Sequence, residues 1–266
     1  MLLGCNYSEE LINLISRNRV KIDYIKLGLY DMYKEGMEIS SSICPILLHG
    51  VAGSINEHAG MKLTEINEIN WEEINRAITL FKSPHLGFHL STTLDDWDDN
   101  IVDNDIAVNR MIETTKVWAE HICVPFLVEN IPYYGFKGTL RFATDPSVIN
   151  MVCEKANVGL ILDIAHARVS ASNRNEDVYT YILNLPLDKV KEIHVVGVLE
   201  NEEGLRDKHL EMQEEDYKLL EWVLTLANPS IITLEYGGPS PHFEGRSDID
   251  ALERQLTRLM KICENH

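Results

Sequence analysis

Six short apolar segments of this chain each carry one histidine or carboxylate at or near their C-terminal end. The clearest is VGLILDIAH, residues 158–166, where a run rich in β-branched residues stops at Asp163 and His166 follows three residues later. Such a run is typical of a buried parallel strand, and a buried carboxylate is unfavourable unless a cation or hydrogen bonds compensate it. The residues at the ends of the six segments are His49, His89, Glu129, Asp163, His194 and Glu235. The pattern therefore predicts six strands that deliver ligating groups to one site.

Strand-like and helix-like segments alternate along the whole sequence. Eight apolar strand segments are separated by about eight amphipathic or capped helical segments, with no linker between them. Alternation favours a parallel sheet, and eight units in 266 residues suit a closed (β/α)₈ barrel, for which about 250 residues is typical. An open doubly wound sheet would be expected to carry a GxGxxG turn after its first strand, and the sequence has none there. We predict an α/β protein with a single TIM-barrel domain over residues 1–266.

In such a barrel the C-terminal ends of the strands converge on one rim, so residues far apart in sequence meet there. Two further pairs, Asp163-x-x-His166 and Asp207-x-His209, add groups just beyond strands six and seven. The complete set of predicted metal ligands is His49, His89, Glu129, Asp163, His166, His194, Asp207, His209 and Glu235. These groups suffice for two or three ions that share carboxylates, and nitrogen and oxygen ligands without thiolate suit iron, manganese or zinc.

Charge and cysteine usage restrict the partners and the compartment. The formal net charge is -18, from 24 Lys and Arg against 42 Asp and Glu, which disfavours binding to nucleic acid. Five cysteines without a CxxC spacing favour reduced thiols in a cytoplasmic protein. The N-terminus shows no signal-peptide pattern, and no apolar run approaches the ~20 residues of a membrane span. We therefore expect a cytoplasmic protein with no membrane partner.

Several segments resemble the multinuclear non-haem iron-dependent oxidative enzymes (MNIO), a bacterial TIM-barrel family. The matching segments are LLHGVAGSI, GFHLS, LVENIPYY, GLILDIAHARVSASNRN, IHVVG and LEYGG, which span most of the chain from Ile46 to Gly238. The ordered ligand set is also similar to the trinuclear zinc site of endonuclease IV and other xylose-isomerase-like barrels. The resemblance implies that the predicted barrel is of this xylose-isomerase-like type.

The MNIO resemblance implies two or three iron ions (Fe2+/Fe3+) with O₂ as co-substrate, and zinc or manganese as the alternative metals. The implied substrate is a ribosomally made precursor peptide, usually oxidised at cysteine and often delivered by a small partner protein. By analogy with endonuclease IV, the three metal sites would be His49, His89 and Glu129; Glu129, Asp163, His194 and Glu235; and His166, Asp207 and His209. Many family members carry asparagine at the position of His166, so a histidine there favours a third ion.

Candidates for contacting the substrate lie outside the ligand set. Glu57 and His58 belong to the glycine-containing loop after strand three, and Arg168 follows strand six. We expect these three residues to position the substrate. His85, in contrast, is at the entry end of its strand, which is the opposite rim from the predicted site.

Three other functions are compatible with the same ligand pattern. A zinc or manganese hydrolase of the endonuclease IV type is disfavoured by the acidic charge of the chain. A sugar isomerase or epimerase would be expected to use two metal ions and a lysine or glutamate base. A non-catalytic metal-binding or partner-binding barrel would be expected to have lost ligands, and none of the nine is missing.

Overall fold

The computed structural model describes residues 1–28, 38, 40–50, 69–94, 102–135, 139–237 and 248–266. The strands in these ranges are β1 (Leu2–Asn6), β2 (Tyr24–Gly28), β3 (Ile46–His49), β4 (Leu86–His89), β5 (Phe126–Glu129), β6 (Gly159–Asp163), β7 (Val190–Val195), β8 (Gly197–Asn201), β9 (Gly204–Leu210) and β10 (Ile231–Leu234). The helices are α1 (Glu9–Ser16), α2 (Trp71–Phe81), α3 (Asn104–His121), α4 (Pro146–Ala156), α5 (Ile164–Arg174), α6 (Val178–Leu183), α7 (Glu214–Leu224) and α8 (Ile249–Asn265). Short 3₁₀ turns occur at Arg141–Thr144 and Leu187–Lys189.

Eight of the strands form a closed parallel barrel in the order β1-β10-β7-β6-β5-β4-β3-β2. The predicted TIM barrel is therefore confirmed. The register also aligns the predicted ligands, because His89 pairs with Glu129 across β4 and β5. Asp163 pairs with His194 in the same way across β6 and β7. Side chains that are distant in sequence thus lie at one level of the barrel.

Aromatic packing outside the barrel explains why one of these histidines faces inward. Trp118 of α3 is fully buried, with its ring centroid 4.5 Å from that of Phe88 and 5.7 Å from that of Phe126. Phe88 therefore faces the helix layer. Because successive side chains of a strand point to opposite faces, the next residue, His89, faces the barrel interior.

The sequence predicts a single helix after β6, near 176–184, whereas the structure has an additional helix, α5, that begins directly at the end of this strand. Asp163 is the reason for the early start. Its side chain accepts a 2.6 Å hydrogen bond from the backbone N–H of His166 and so caps the helix. Asp163 is thus both the last residue of β6 and the N-cap of α5. The sequence therefore has no turn residues between the strand and the helix that would mark the boundary.

The charged sequence of residues 197–213 predicts a long loop, but the segment contains the antiparallel hairpin β8–β9. The prediction was wrong because one face of the hairpin is solvated, so its sequence reads as charged and loop-like. Gly204 at the turn has φ +102, a conformation that favours glycine. The hairpin packs on α5 and carries Asp207 and His209 on its returning strand.

Two smaller points concern helix ends and membrane spans. The sequence predicts Ser247 as the cap of the last helix. That residue lies outside the described ranges, and the cap in the structure is Asp248, whose side chain accepts a hydrogen bond from the backbone N–H of Ala251. Among the described residues, no helix combines the length and the apolar composition needed to cross a membrane.

Candidate metal centre

The first ligand group lies at the ends of three neighbouring strands, β3, β4 and β5. One ligand atom from each of His49, His89 and Glu129 can be chosen so that all lie within 4.8 Å of one another. Oε2 of Glu129 is 2.6 Å from Nε2 of His49 and 3.6 Å from Nε2 of His89. Two imidazoles and one carboxylate therefore face a common point.

The second ligand group shares Glu129 with the first and adds Asp163, His194 and Glu235, all of them buried. Nδ1 of His194 is 3.1 Å from Oε1 of Glu129 and 3.3 Å from Oε1 of Glu235. The two oxygens of Glu129 thus divide between the groups, Oε2 toward the first and Oε1 toward the second. This is the arrangement expected of a carboxylate that bridges two ions.

Asp207, brought in by the hairpin, lies between the two remaining imidazoles. Its Oδ2 is 3.2 Å from Nε2 of His166 and 3.4 Å from Nε2 of His209. In each imidazole Nδ1 is 2.9 Å from a backbone carbonyl oxygen, that of Asn130 for His166 and that of Glu235 for His209. Donation from Nδ1 would leave Nε2 of each ring, which faces Asp207, as the nitrogen that can bind a metal.

The electrostatic environment of Asp163 indicates that this set of donors suits metal ions. Its side chain is fully buried, and among the described residues its Oδ2 makes no hydrogen bond and lies 3.7 Å from Nε2 of His166. Burial raises the pKa of Asp163 to about 7, and the carboxylates of Glu235 and Glu129 contribute to the rise. A buried carboxylate oxygen without a partner is costly unless a cation contacts it. Nitrogen and oxygen donors of this kind suit iron, manganese or zinc.

Lys26 of β2 is a member of the site that the sequence analysis missed. Its ammonium donates a hydrogen bond to Oε1 of Glu235 and lies 3.4 Å from Nδ1 of His194. Burial alone would lower the pKa of Lys26, but Glu235 and Glu129 raise it, so the group stays charged. The signal was available, because a lysine at the centre of the strand YIKLG faces inward when Ile25 and Leu27 face the helices.

Two further residues beneath the second group were also missed. His85 lies at the entry end of β4, as expected, yet its Nε2 is 2.5 Å from Oε2 of Glu192. The other oxygen of Glu192 is 3.2 Å from Nε2 of His194. The entry end of the barrel is therefore connected to the ligand groups through its interior.

Of the three residues predicted to position the substrate, Arg168 alone lies within the described residues. Glu57 and His58 lie outside the described residues. Arg168 donates a hydrogen bond to Asp216 at the start of α7. Because it is two residues beyond His166 on α5, it points to a different side of the helix. The substrate role of all three stays a prediction.

Protons held within the centre predict how metal binding depends on pH. Although burial would lower the pKa of His194, Glu129 and Glu235 raise it to about 10. Burial likewise opposes charge on His166, but Asp163 raises its pKa well above the ordinary value. Metal ligation requires the deprotonated forms. We expect affinity to rise at least about tenfold per pH unit between about pH 6 and 8, and more steeply below 7, where Asp163 also holds a proton.

Competition with a chelator of known affinity over this pH range measures the dependence. Proton release on metal addition in weakly buffered solution gives an independent value. A metal affinity that does not change with pH would contradict protonated His194 and His166 in the metal-free protein.

The sequence profile of one protein family matches residues 3–253, nearly the whole chain. That family is described as the RiPP precursor modification enzyme MbnB/TglH/ChrH, where RiPP denotes a ribosomally synthesised and post-translationally modified peptide. The chain belongs to this family. The predicted membership of the MNIO enzymes is thereby confirmed. The MbnB/TglH/ChrH enzymes act on precursor peptides, and the family and the buried cluster together indicate use of metal.

Relatives by sequence are proteins named UPF0276. That of Paraburkholderia phytofirmans is 28% identical over 190 residues, which are 66% of this chain and 53% of the relative. That of Acaryochloris marina is 24% identical over 204 residues, 75% of this chain and 72% of the relative. The match thus spans between about half and three quarters of the length of these relatives.

Solved structures similar to this MbnB/TglH/ChrH family member are xylose-isomerase-like barrels. A D-tagatose 3-epimerase-like protein has a TM-score of 0.64 at 16% identity and covers 100% of this chain and 99% of its own. The IOLI protein with a bound zinc atom has a TM-score of 0.63 at 15% identity, with 98% of both chains covered. At these identities the likeness shows the fold alone, and it confirms the predicted xylose-isomerase-like architecture.

Proposed function

We propose that this protein is a multinuclear iron enzyme that uses O₂ to oxidise a precursor peptide at cysteine. The observation that carries the proposal is Glu129, whose two oxygens face two adjacent ligand groups. Glu129 would thus help to hold metal in both groups, next to a single bound substrate. Membership of the MbnB/TglH/ChrH family supports a peptide as that substrate.

The nine predicted ligands would hold the ions in the three groups, with zinc or manganese as the alternative metals. Bound iron supplies the electron transfer between O₂ and the substrate. The protein's own part is to assemble the donors, which give up their protons when metal binds, and to exclude water from the buried second group.

The exposure of the ligands indicates the side from which a peptide would enter. Side chains of His89, His49 and His209 are 22%, 15% and 16% exposed. Those of His194 and Asp163 are 0% exposed. A substrate thiol would therefore reach the first group, whereas the second group stays dry and electrostatic interactions within it are strong.

The competing functions gain less support from the described residues. A sugar epimerase with a lysine base requires a neutral amine, but the surrounding carboxylates keep Lys26 as an ammonium. A DNA hydrolase must approach phosphates, which the net charge of -18 opposes. A small partner protein that delivers the peptide, and a location in the cytoplasm, are part of the proposal by family resemblance.

Metal analysis and a peptide assay test the proposal together. Protein purified without oxygen is expected to contain two to three irons per chain. With a cysteine-containing precursor peptide encoded by a neighbouring gene, it should consume O₂ and change the mass of the peptide at cysteine. The control is the same protein reconstituted with zinc, which should bind metal but leave the peptide unchanged. Stoichiometric zinc in the native protein, with O₂-independent epimerisation of a ketose or cleavage of DNA, would overturn the proposal.

A further inference from the structure

A buried chain of polar groups runs from the entry end of the barrel to the second ligand group. Glu192 links the imidazoles of His85 and His194, with Oε2 2.5 Å from Nε2 of His85 and Oε1 3.2 Å from Nε2 of His194. Thr233, on the neighbouring strand, donates a hydrogen bond from its hydroxyl to the same Oε1. The four residues are at most 7% exposed. Three partners therefore hold one carboxylate in the dry interior.

Strand geometry places this carboxylate directly below the ligand. Glu192 and His194 are two residues apart in β7, so both point into the barrel. Thr233 of β10 is paired with His194 in the strand register. Glu192 therefore lies one inward-facing position before His194 in β7, level with the underside of its imidazole.

The contact with Glu192 decides which nitrogen of His194 faces the ligand groups. Nε2 is directed to Glu192, which leaves Nδ1 toward Glu129 and Glu235. His49 has the opposite orientation, since its Nε2 faces Glu129. An imidazole that binds a metal through one nitrogen carries its proton on the other. A carboxylate that accepts this proton in a hydrogen bond orients the ring and raises its basicity.

We propose that His85, Glu192 and Thr233 form a positioning unit that presents His194 to the metal through Nδ1. The inference rests on the part of the proposed function that places an ion on His194, and it requires neither iron nor a peptide substrate. Glu192 supplies the negative charge behind the ring, and His85 and Thr233 hold that carboxylate in one orientation. Without the unit, the ring would be free to flip and offer Nε2.

A simpler role for Glu192 would be to hydrogen-bond with His85 in the core. Removing the charge of Glu192 would then change folding stability without altering how His194 binds metal. The two roles therefore differ in the ligation of His194, which can be observed directly.

The primary test is the unaltered protein, labelled with ¹⁵N-histidine and loaded with Zn²⁺. Long-range ¹H–¹⁵N correlation spectra distinguish metal-bound, protonated and free ring nitrogens. We expect Nδ1 of His194 to be metal-bound and Nε2 to be protonated. Zinc on Nε2, with the proton on Nδ1, would overturn the proposal whatever the activity of the enzyme.

Variants of the unit provide the second test, with zinc titrations followed at the His194 signals. Glu192→Gln keeps the size of the side chain but removes its charge, and we expect a 10–100-fold loss of zinc affinity at His194. Thr233→Val and His85→Gln should give smaller losses in the same direction. Glu154→Gln, at an exposed position of α4, is the matched control and should change nothing. Unaltered affinity and ligation in Glu192→Gln would refute the positioning role.

Stability measurements separate this inference from loss of the fold. Circular dichroism and thermal unfolding of each metal-free variant identify those that do not fold. If Glu192→Gln fails to fold, the NMR result on the unaltered protein and the Thr233→Val titration decide the question. Absence of peptide oxidation in a protein with the expected His194 ligation would count against the proposed function alone.

Discussion

Replacement of Glu129 by glutamine is expected to remove metal from two ligand groups at once. Oε2 of Glu129 serves His49 and His89, and Oε1 serves His194. Glutamine retains one oxygen but loses the charge and the second ligand oxygen. Burial alone would raise the pKa of Glu129, yet His194 and His89 hold it well below the ordinary value. The ionised form that a bridging ligand requires is therefore already present.

The loss of metal affinity expected for Glu129→Gln exceeds that expected for a residue that only hydrogen-bonds to a ligand. Because residues behind a ligand typically contribute 10–100-fold to metal affinity, loss of the bridge should reduce affinity by more than about 100-fold at both groups. Elemental analysis after dialysis measures the metal retained. His89→Ala should affect the first group alone, and Glu120→Gln, on the exposed side of α3, should retain full metal content. Equal metal content in Glu129→Gln and the Glu120→Gln control would show that Glu129 is not a ligand.

Replacement of Asp163 by asparagine is expected to change metal affinity and the stability of the metal-free protein in opposite directions. Oδ2 of Asp163 is fully buried beside other carboxylates, makes no hydrogen bond with the described residues and lies 3.7 Å from Nε2 of His166. Asparagine keeps the oxygen that caps α5 at the N–H of His166, so the helix start should survive. Metal affinity at the second group should fall by more than about 100-fold, while the metal-free protein should become more stable.

The sign of this stability change follows from the pKa of Asp163. The folded carboxyl titrates at about 7, whereas an unfolded one titrates near 3.9. The folded state therefore binds the extra proton between these values, so the group destabilises the metal-free protein increasingly as pH rises through that interval. Above about pH 7 the penalty is complete and on the order of a few kcal/mol.

Thermal unfolding of the metal-free forms tests the Asp163→Asn prediction. At pH 8 the variant should unfold several degrees above the unaltered protein, since each kcal/mol corresponds to about 2–4 °C for a chain of this size class. At about pH 4 the two should be similar. An unaltered or lower midpoint at pH 8, with the fold intact, would show that Asp163 is not an uncompensated charge.

Much of the barrel and of the ligand alignment could be predicted from local patterns. Buried strands such as 159–163 are apolar until the one polar residue that ends them, and this end marks the rim where parallel strands converge. His89 and Glu129 are paired in the observed register, as convergence on one rim requires. The sequence located these residues because each one both ended a strand and carried a group that could bind a metal.

The residues that were missed depend on contacts between distant segments. Nothing within the segment around His85 indicates that it meets Glu192, 107 residues away. Lys26 sits among apolar neighbours, and its role becomes clear only when Glu235 is placed beside it. The hairpin β8–β9 was not predicted because its exposed residues are polar and charged, as in a loop.

By itself the sequence determined the α/β barrel and which residues converge on its mouth, because alternation and strand-end polarity are properties of short segments. Only the tertiary structure decided that one oxygen of Glu129 faces each of the first two groups. It also decided which nitrogen of His194 faces the centre. These features depend on distances of a few ångströms between side chains from different strands, which closure and register of the barrel set and which no single segment encodes.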